Sequence, residues 1–171
     1  MLRFWKERFK TGIVTENIEI DKELEELRKN LKDKIKKLFA GSLAIRMVDS
    51  GSCNACEAEC NALSNPYYDL ERLGIHFVAS PRHADVLLVS GVMTMNMYHH
   101  VWDAYHQVPN PKWVITLGDC AKDLGVFEKT YAIKGIDLPV DYHIPGCPPT
   151  PKDIIKGLIE FLKKIETESK N

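Results

Sequence analysis

From Leu43 onward the sequence alternates short apolar runs with stretches of helical spacing, and this alternation restricts the fold more than any other feature. Leu43 to Val48, Ile75 to Ala79, Val86 to Val89, Trp113 to Leu117 and Val140 to Ile144 have the length and side-chain content of strands. Thr94 to Gln107 reads as a helix carrying Met97, Val101, Trp102 and Tyr105. The last helix is capped by Thr150, begins on Pro151, and lines one side with Ile154, Ile155, Leu158, Ile159, Leu162 and Ile165. Strands separated by helices need crossover connections, so the expected fold is α/β with a doubly wound, mostly parallel sheet.

An N-terminal helical extension precedes this body. LRFWKERFK is basic and aromatic, Ile13, Val14 and Ile18 look extended, and together residues 1–20 read as an arm. Between Asp21 and Ala40, Leu24, Leu27, Leu31, Ile35 and Leu38 recur at helical spacing on one face. Gly41-Ser42 then breaks the helix. The expected division is residues 1–41, arm and amphipathic helix, and 42–171, one α/β domain; 171 residues at 44% hydrophobic suit a single core. The arm is either a solvated terminus or a contact for a partner subunit or an anionic membrane. No apolar run approaches the roughly 18 residues of a membrane span, nor is there a signal-peptide core, so a cytoplasmic chain without its own transmembrane segment is expected. A net charge of −1, with basic residues scattered, argues against a nucleic-acid partner.

Five cysteines are an odd number, and cytoplasmic thiols stay reduced, so metal binding is a better expectation than a disulfide framework. Cys53 and Cys56 follow the first strand, Cys120 the fourth and Cys147 the fifth. Segments just past the ends of parallel strands gather along one edge of the sheet, where open α/β folds bind ligands. Three distant stretches therefore converge. Cys53-Asn54-Ala55-Cys56 has a spacing that suits two thiolates on one metal or one cluster. Cys120 and Cys147 sit in Gly118-Asp119-Cys120 and Pro145-Gly146-Cys147-Pro148-Pro149, where glycine permits close approach and proline stiffens the loop.

Other readings of the cysteines explain less. Zinc ribbons place paired cysteines on two short hairpins, unlike one pair with two distant singles. A thioredoxin-like dithiol would leave Cys120 and Cys147 without a role. As ordinary buried thiols, all four would stand after strand ends by accident. Cys60 lies one helical turn beyond Cys56 and could compete as a ligand; packing is the preferred role.

From about Ser42 to Leu162 the chain resembles the small subunit of energy-converting, membrane-bound NiFe-hydrogenases, the family that includes the 20 kDa subunit of complex I. The motifs that carry the resemblance are Gly51-Ser52-Cys53-Asn54-Ala55-Cys56-Glu57, Tyr68-Asp69-Leu70-Glu71-Arg72-Leu73-Gly74-Ile75, Ser80-Pro81-Arg82-His83-Ala84-Asp85, Gly118-Asp119-Cys120-Ala121 and Ile144-Pro145-Gly146-Cys147-Pro148-Pro149. Complex I subunits have adjacent cysteines in the first motif, so the spaced pair favours the hydrogenase branch. The resemblance implies a flavodoxin-like fold and one proximal 4Fe-4S cluster on Cys53, Cys56, Cys120 and Cys147. It also implies a hydrogenase-like large subunit, a ferredoxin-like two-cluster subunit, a membrane arm, and external ferredoxin as donor. Such a chain sits peripherally on the cytoplasmic face of the membrane, and the substrate site of the oxidoreductase lies on the large subunit. Ala55 stands where the pattern usually has glycine, and Lys122-Asp123-Leu124-Gly125 replaces a stretch that usually ends in two glycines. Both departures leave room for a nickel-free relative, a sulfur reductase or a complex I-like quinone oxidoreductase. A zinc-stabilised scaffold and a flavodoxin-like FMN protein are the readings from other classes.

Glu57 and Glu59 follow the CxxC, where a carboxylate either relays protons or favours a helix start. Arg82 and His83 follow the second strand and are expected on the same edge, as cluster-stabilising charge or as loop contacts. His76, His99, His100, His106 and His143 have no ligand-like spacing to the cysteines. Met93, Met95 and Met97 read as core or partner-facing side chains.

Overall fold

The computed structural model describes residues 2–12, 21–124, 127, 132–134 and 136–169. In chain order the elements are α1 (Leu2–Thr11), α2 (Lys22–Leu38), β1 (Leu43–Asp49), α3 (Ala55–Ala62), β2 (Ile75–Phe77), β3 (Val86–Ser90), β4 (Met93–Thr94), α4 (Met95–Gln107), β5 (Trp113–Leu117), α5 (Asp119–Asp123), β6 (Ala132–Lys134), β7 (Tyr142–Ile144) and α6 (Pro151–Glu168). Short 3-10 turns at Leu70–Leu73 and Pro81–His83 lead into β2 and β3.

β2, β1, β3, β5 and β7 form one sheet in that order, every pair parallel. Counting only these strands, the order is 2-1-3-4-5, the flavodoxin-like winding, whose ligand crevice opens between the first and third strands. The register makes that edge flush. Asp49 pairs with Ser90, Ser90 with Leu117, and Leu117 with Ile144, so the last residues of four neighbouring strands lie in one row.

β3 is buried along its whole length, as a central parallel strand must be when helices cover both faces. Leu43, Ile45, Leu88, Ile115 and Ile144 pack on one face with α2, α3 and α6, while Val48, Leu87, Val89 and Val114 pack on the other with Val101 of α4. The two-residue alternation of β3 divides its side chains between these layers.

The amphipathic helix α2 starts where Asp21 accepts a hydrogen bond from Leu24 N at 3.2 Å. Its Leu24, Leu31 and Ile35 join the same core as the sheet and α6. Across the rim of that contact Glu166 takes Lys34 at 3.1 Å and Lys37 at 2.5 Å, and Lys156 meets Glu23 at 2.7 Å. α6 begins as expected, with Thr150 and Asp153 in a reciprocal capping box.

Four details differ from the sequence expectations. The first part of the arm is helical, because Trp5 and Phe9 fall one turn apart among good helix formers; Ile13, Val14 and Ile18 lie outside the described residues, as does Gly125. β2 ends at Phe77, although Val78 N still donates to Ile45 O at 2.9 Å. β7 starts at Tyr142 because Asp141 occupies the preceding rung, its N donating to Val114 O and its carboxylate accepting from Val114 N at 2.7 Å. The antiparallel pair β4 and β6 joins segments too short and too distant to betray a strand pattern. Among the described residues no helix is long and apolar enough to cross a membrane.

Candidate metal centre

Each loop leaving the flush row of strand ends is bent inward by its own hydrogen bonds. After β1, the Asp49 carboxylate accepts from Gly51 N and Ser52 N, both at 2.7 Å, turning the chain back over the sheet edge. Ser52 Oγ accepts from Asn54 N at 3.0 Å, and Asn54, in the left-handed region at φ 68°, starts α3. Cys53 therefore sits exposed at the loop tip and Cys56 lies half-buried in the first turn of α3.

The loops after β5 and β7 are tied to each other. Gly118 N donates to Ile144 O at 2.9 Å, Asp119 N donates to Gly146 O at 2.9 Å, and Gly146 N donates to the Asp119 carboxylate at 2.8 Å. Cys120 and Cys147 follow Asp119 and Gly146 directly, so these bonds set the spacing between their two loops. Cys120 is buried and Cys147 exposed.

Close approach joins this pair to the first. A Cβ on Gly118, whose φ is +87°, would stand 2.7 Å from Cys56 Sγ, so only glycine fits there. Past β3, Gly91 presses as closely on Gly51 and Ser52, where a Cβ would come within 2.8 Å of backbone atoms. Cys53, Cys56, Cys120 and Cys147 all line one small cavity of about 20 Å3, with Phe127 and Pro148 in its wall.

The donor set, four cysteine thiols on one cavity, is the kind that holds an iron–sulfur cluster. Burial pushes the Cys56 thiol up to about 12, and Glu57, Cys53, Cys120 and Cys147 push it the same way. Four facing thiols without a nearby cation resist ionising together, whereas bound iron draws off their protons. Among the described residues no three His, Cys, Asp or Glu side chains gather on a single-ion site. The four cysteines share one cavity, and Gly91, Gly118 and Gly146 line it with them.

The other candidates do not line the cavity. Cys60 is 2% exposed in the core, with burial raising its thiol to about 12, and it does not line the cavity. Glu57 accepts a hydrogen bond from the Ser90 hydroxyl, and its other carboxylate oxygen is buried without a hydrogen-bond partner. Glu59, two residues on, is partly buried. Arg82 and His83 are exposed on the turn after β2 and do not line the cavity. His143 meets Thr116 Oγ1 at 2.9 Å, and burial holds its pKa below the usual histidine value. Met93 is buried in the core and Met95 is exposed. The Asp119 clamp and Gly91 were not singled out in the sequence. Gly91 could have been found, because Ser90-Gly91 ends the middle strand of the row.

The sequence and the fold both have counterparts among known proteins. Residues 53–161 match the family model described as the 20 kDa subunit of NADH ubiquinone oxidoreductase. The chain belongs to this 20 kDa subunit family. A probable membrane-bound hydrogenase subunit, mbhJ, of Pyrococcus furiosus is 43% identical over 144 residues, covering 81% of this chain and 86% of that protein. Among solved structures, a chain of the membrane-bound sulfane sulfur reductase, an archaeal respiratory membrane complex, superposes with a TM-score of 0.66 at 33% identity, covering 83% of this chain and 77% of its own. A chain of an NAD+-reducing [NiFe]-hydrogenase shares the fold, with a TM-score of 0.52 at 18% identity over 71% of this chain and 92% of its own. Members of the 20 kDa subunit family are components of oxidoreductases and work within multisubunit complexes.

Proposed function

We propose that Cys53, Cys56, Cys120 and Cys147 hold one 4Fe-4S cluster, and that the chain delivers electrons to a large partner subunit in a membrane-bound, hydrogenase-like complex. The observation that carries this reading is the single cavity lined by all four thiols at the flush end of the sheet. When bound, such a cluster takes up and releases one electron at a time, at a potential set by thiolate, backbone and solvent contacts. The protein's own work is to hold and shield. Asp119 and Gly146 keep two ligand loops in register, Gly118 lets Cys56 approach, and the sheet edge closes the inner side against water.

Cys53 and Cys147 are exposed, so the cavity is open on one side, and a large subunit seated there would complete the shielding. A ferredoxin-like two-cluster subunit fed by external ferredoxin would supply electrons, and the membrane arm of the complex would fix the assembly on the cytoplasmic face. Glu57 and Glu59 are candidates for proton movement beside the cavity. Replacing each with Gln should lower turnover of the intact complex, and unchanged turnover in both variants removes that role.

The test of the cluster is anaerobic reconstitution of the chain with iron and sulfide. About four irons and four sulfides per chain are expected. Iron below one per chain, or about one zinc instead, would return the fold to a metal-stabilised scaffold; a flavin spectrum would point to FMN.

A nickel-free partner is the second reading, favoured by the likeness to the sulfane sulfur reductase chain and by Ala55 beside the ligands. Nickel analysis of the intact complex, together with the presence or loss of two CxxC motifs in its large subunit, separates the two.

A further inference from the structure

The body of the chain and its first helix differ in charge. α1 carries Arg3, Lys6, Arg8 and Lys10 against Glu7, a balance of +3, so the rest of a chain that totals −1 carries −4. Every described side chain of α1 is exposed, among them Phe9 at 82% and Trp5 at 49%. The two rings lie one turn apart with centroids separated by 6.4 Å, and the Arg8 guanidinium stands 5.7 Å from the centre of the Trp5 ring. Helical spacing puts Lys6 and Lys10 along one flank of this aromatic stripe and Arg8 along the other.

A ten-residue helix is marginal alone in water, and its rings favour an apolar surface. A protein groove would need an apolar floor with acidic residues along both flanks to take the same pattern. A lipid surface takes both, with rings at the headgroup boundary and cations among the phosphates. Trp5 suits that boundary because one edge of its ring is polar.

We propose that α1 is an interfacial anchor that lies on an anionic phospholipid surface, with the acidic body held away from it. A single short helix binds lipid weakly, so it serves as a second contact beside the membrane attachment of the whole complex. This inference does not depend on the metal site, and the chain without metal suffices to test it.

The experiment is co-sedimentation of the full chain with phosphatidylcholine vesicles, with and without phosphatidylglycerol. Binding should be at least about tenfold stronger with phosphatidylglycerol and weaken as salt rises. K6E/K10E should lose roughly tenfold or more, and W5A/F9A a similar factor, with thermal melts like that of the parent. Equal binding to both vesicles, no binding, or binding untouched by both double variants overturns the proposal. So does a dimer that W5A/F9A dissolves in the absence of vesicle binding, which would assign the stripe to a second copy of the chain.

Discussion

The loops at the carboxyl ends of the strands and the α2–α6 layer are both held by polar contacts, but of different kinds. In the loops, hydrogen bonds run to backbone atoms: Asp49 to Gly51 and Ser52, Asp119 to Gly146, Gly118 to Ile144. Between α2 and α6 they run from side chain to side chain over an apolar seam, as Lys34 and Lys37 do to Glu166. Backbone bonds fix where a chain segment lies, whereas exposed ion pairs contribute little and are screened by salt. The first region is therefore built for position and the second for cohesion, and changes in each should register in different measurements.

The widest separation is expected from the ligands. Cys56→Ser or Cys120→Ser should bring reconstituted iron from about four to below one per chain, while circular dichroism of the metal-free chain stays that of the parent. Gly118→Ala comes next: a methyl 2.7 Å from Cys56 Sγ at φ +87° should lower iron affinity roughly 10–100-fold and destabilise the chain by about 1–3 kcal/mol. Iron titration and denaturant melts measure the two parts. Asp119→Ala frees Gly146 N and should cost about tenfold in iron affinity; Asp119→Asn, which keeps an accepting oxygen, should recover most of it.

The smallest effect belongs to the helical layer. Lys37 and then Lys34 hold the Glu166 carboxyl down to about 2, against an ordinary 4.5. A depressed carboxyl stabilises the fold fully above pH of about 4.5, and that contribution is lost as pH falls through about 2. Acid melts should show this loss, Glu166→Gln should flatten it, and iron content should not respond. If Glu166→Gln instead lowered iron, the division between position and cohesion would fail.

The two regions were also unequally legible in the sequence. Helix spacing announced the extent of α2 and the start and apolar face of α6, because one-sided burial repeats every few positions and leaves a long record. The parallel sheet was legible from strand–helix alternation, and its inner strands from their continuous apolar runs. Strand ends were harder: the run Val140 to Ile144 reads as one strand, but the Asp141 carboxylate takes the Val114 N–H at the rung before Tyr142, a contact that side-chain pattern does not announce. The Asp119 clamp was hidden for a similar reason, since its partner lies 27 residues away and becomes a neighbour only after β5 and β7 pair. Helix α1 could have been read from the spacing of Trp5 and Phe9, but its basic character resembled a solvated tail.

Depth within the cavity has a consequence for how the site is filled. Cys53 and Cys147 stand at the mouth, while Cys56 and Cys120 lie further in, over a core already closed by aliphatic side chains. Anything delivered must pass the outer two before it reaches the inner two, and must leave by the same route. Loading and damage alike should begin at the rim, so the outer thiols are where a donor protein would first take hold and where an oxidant would first strike.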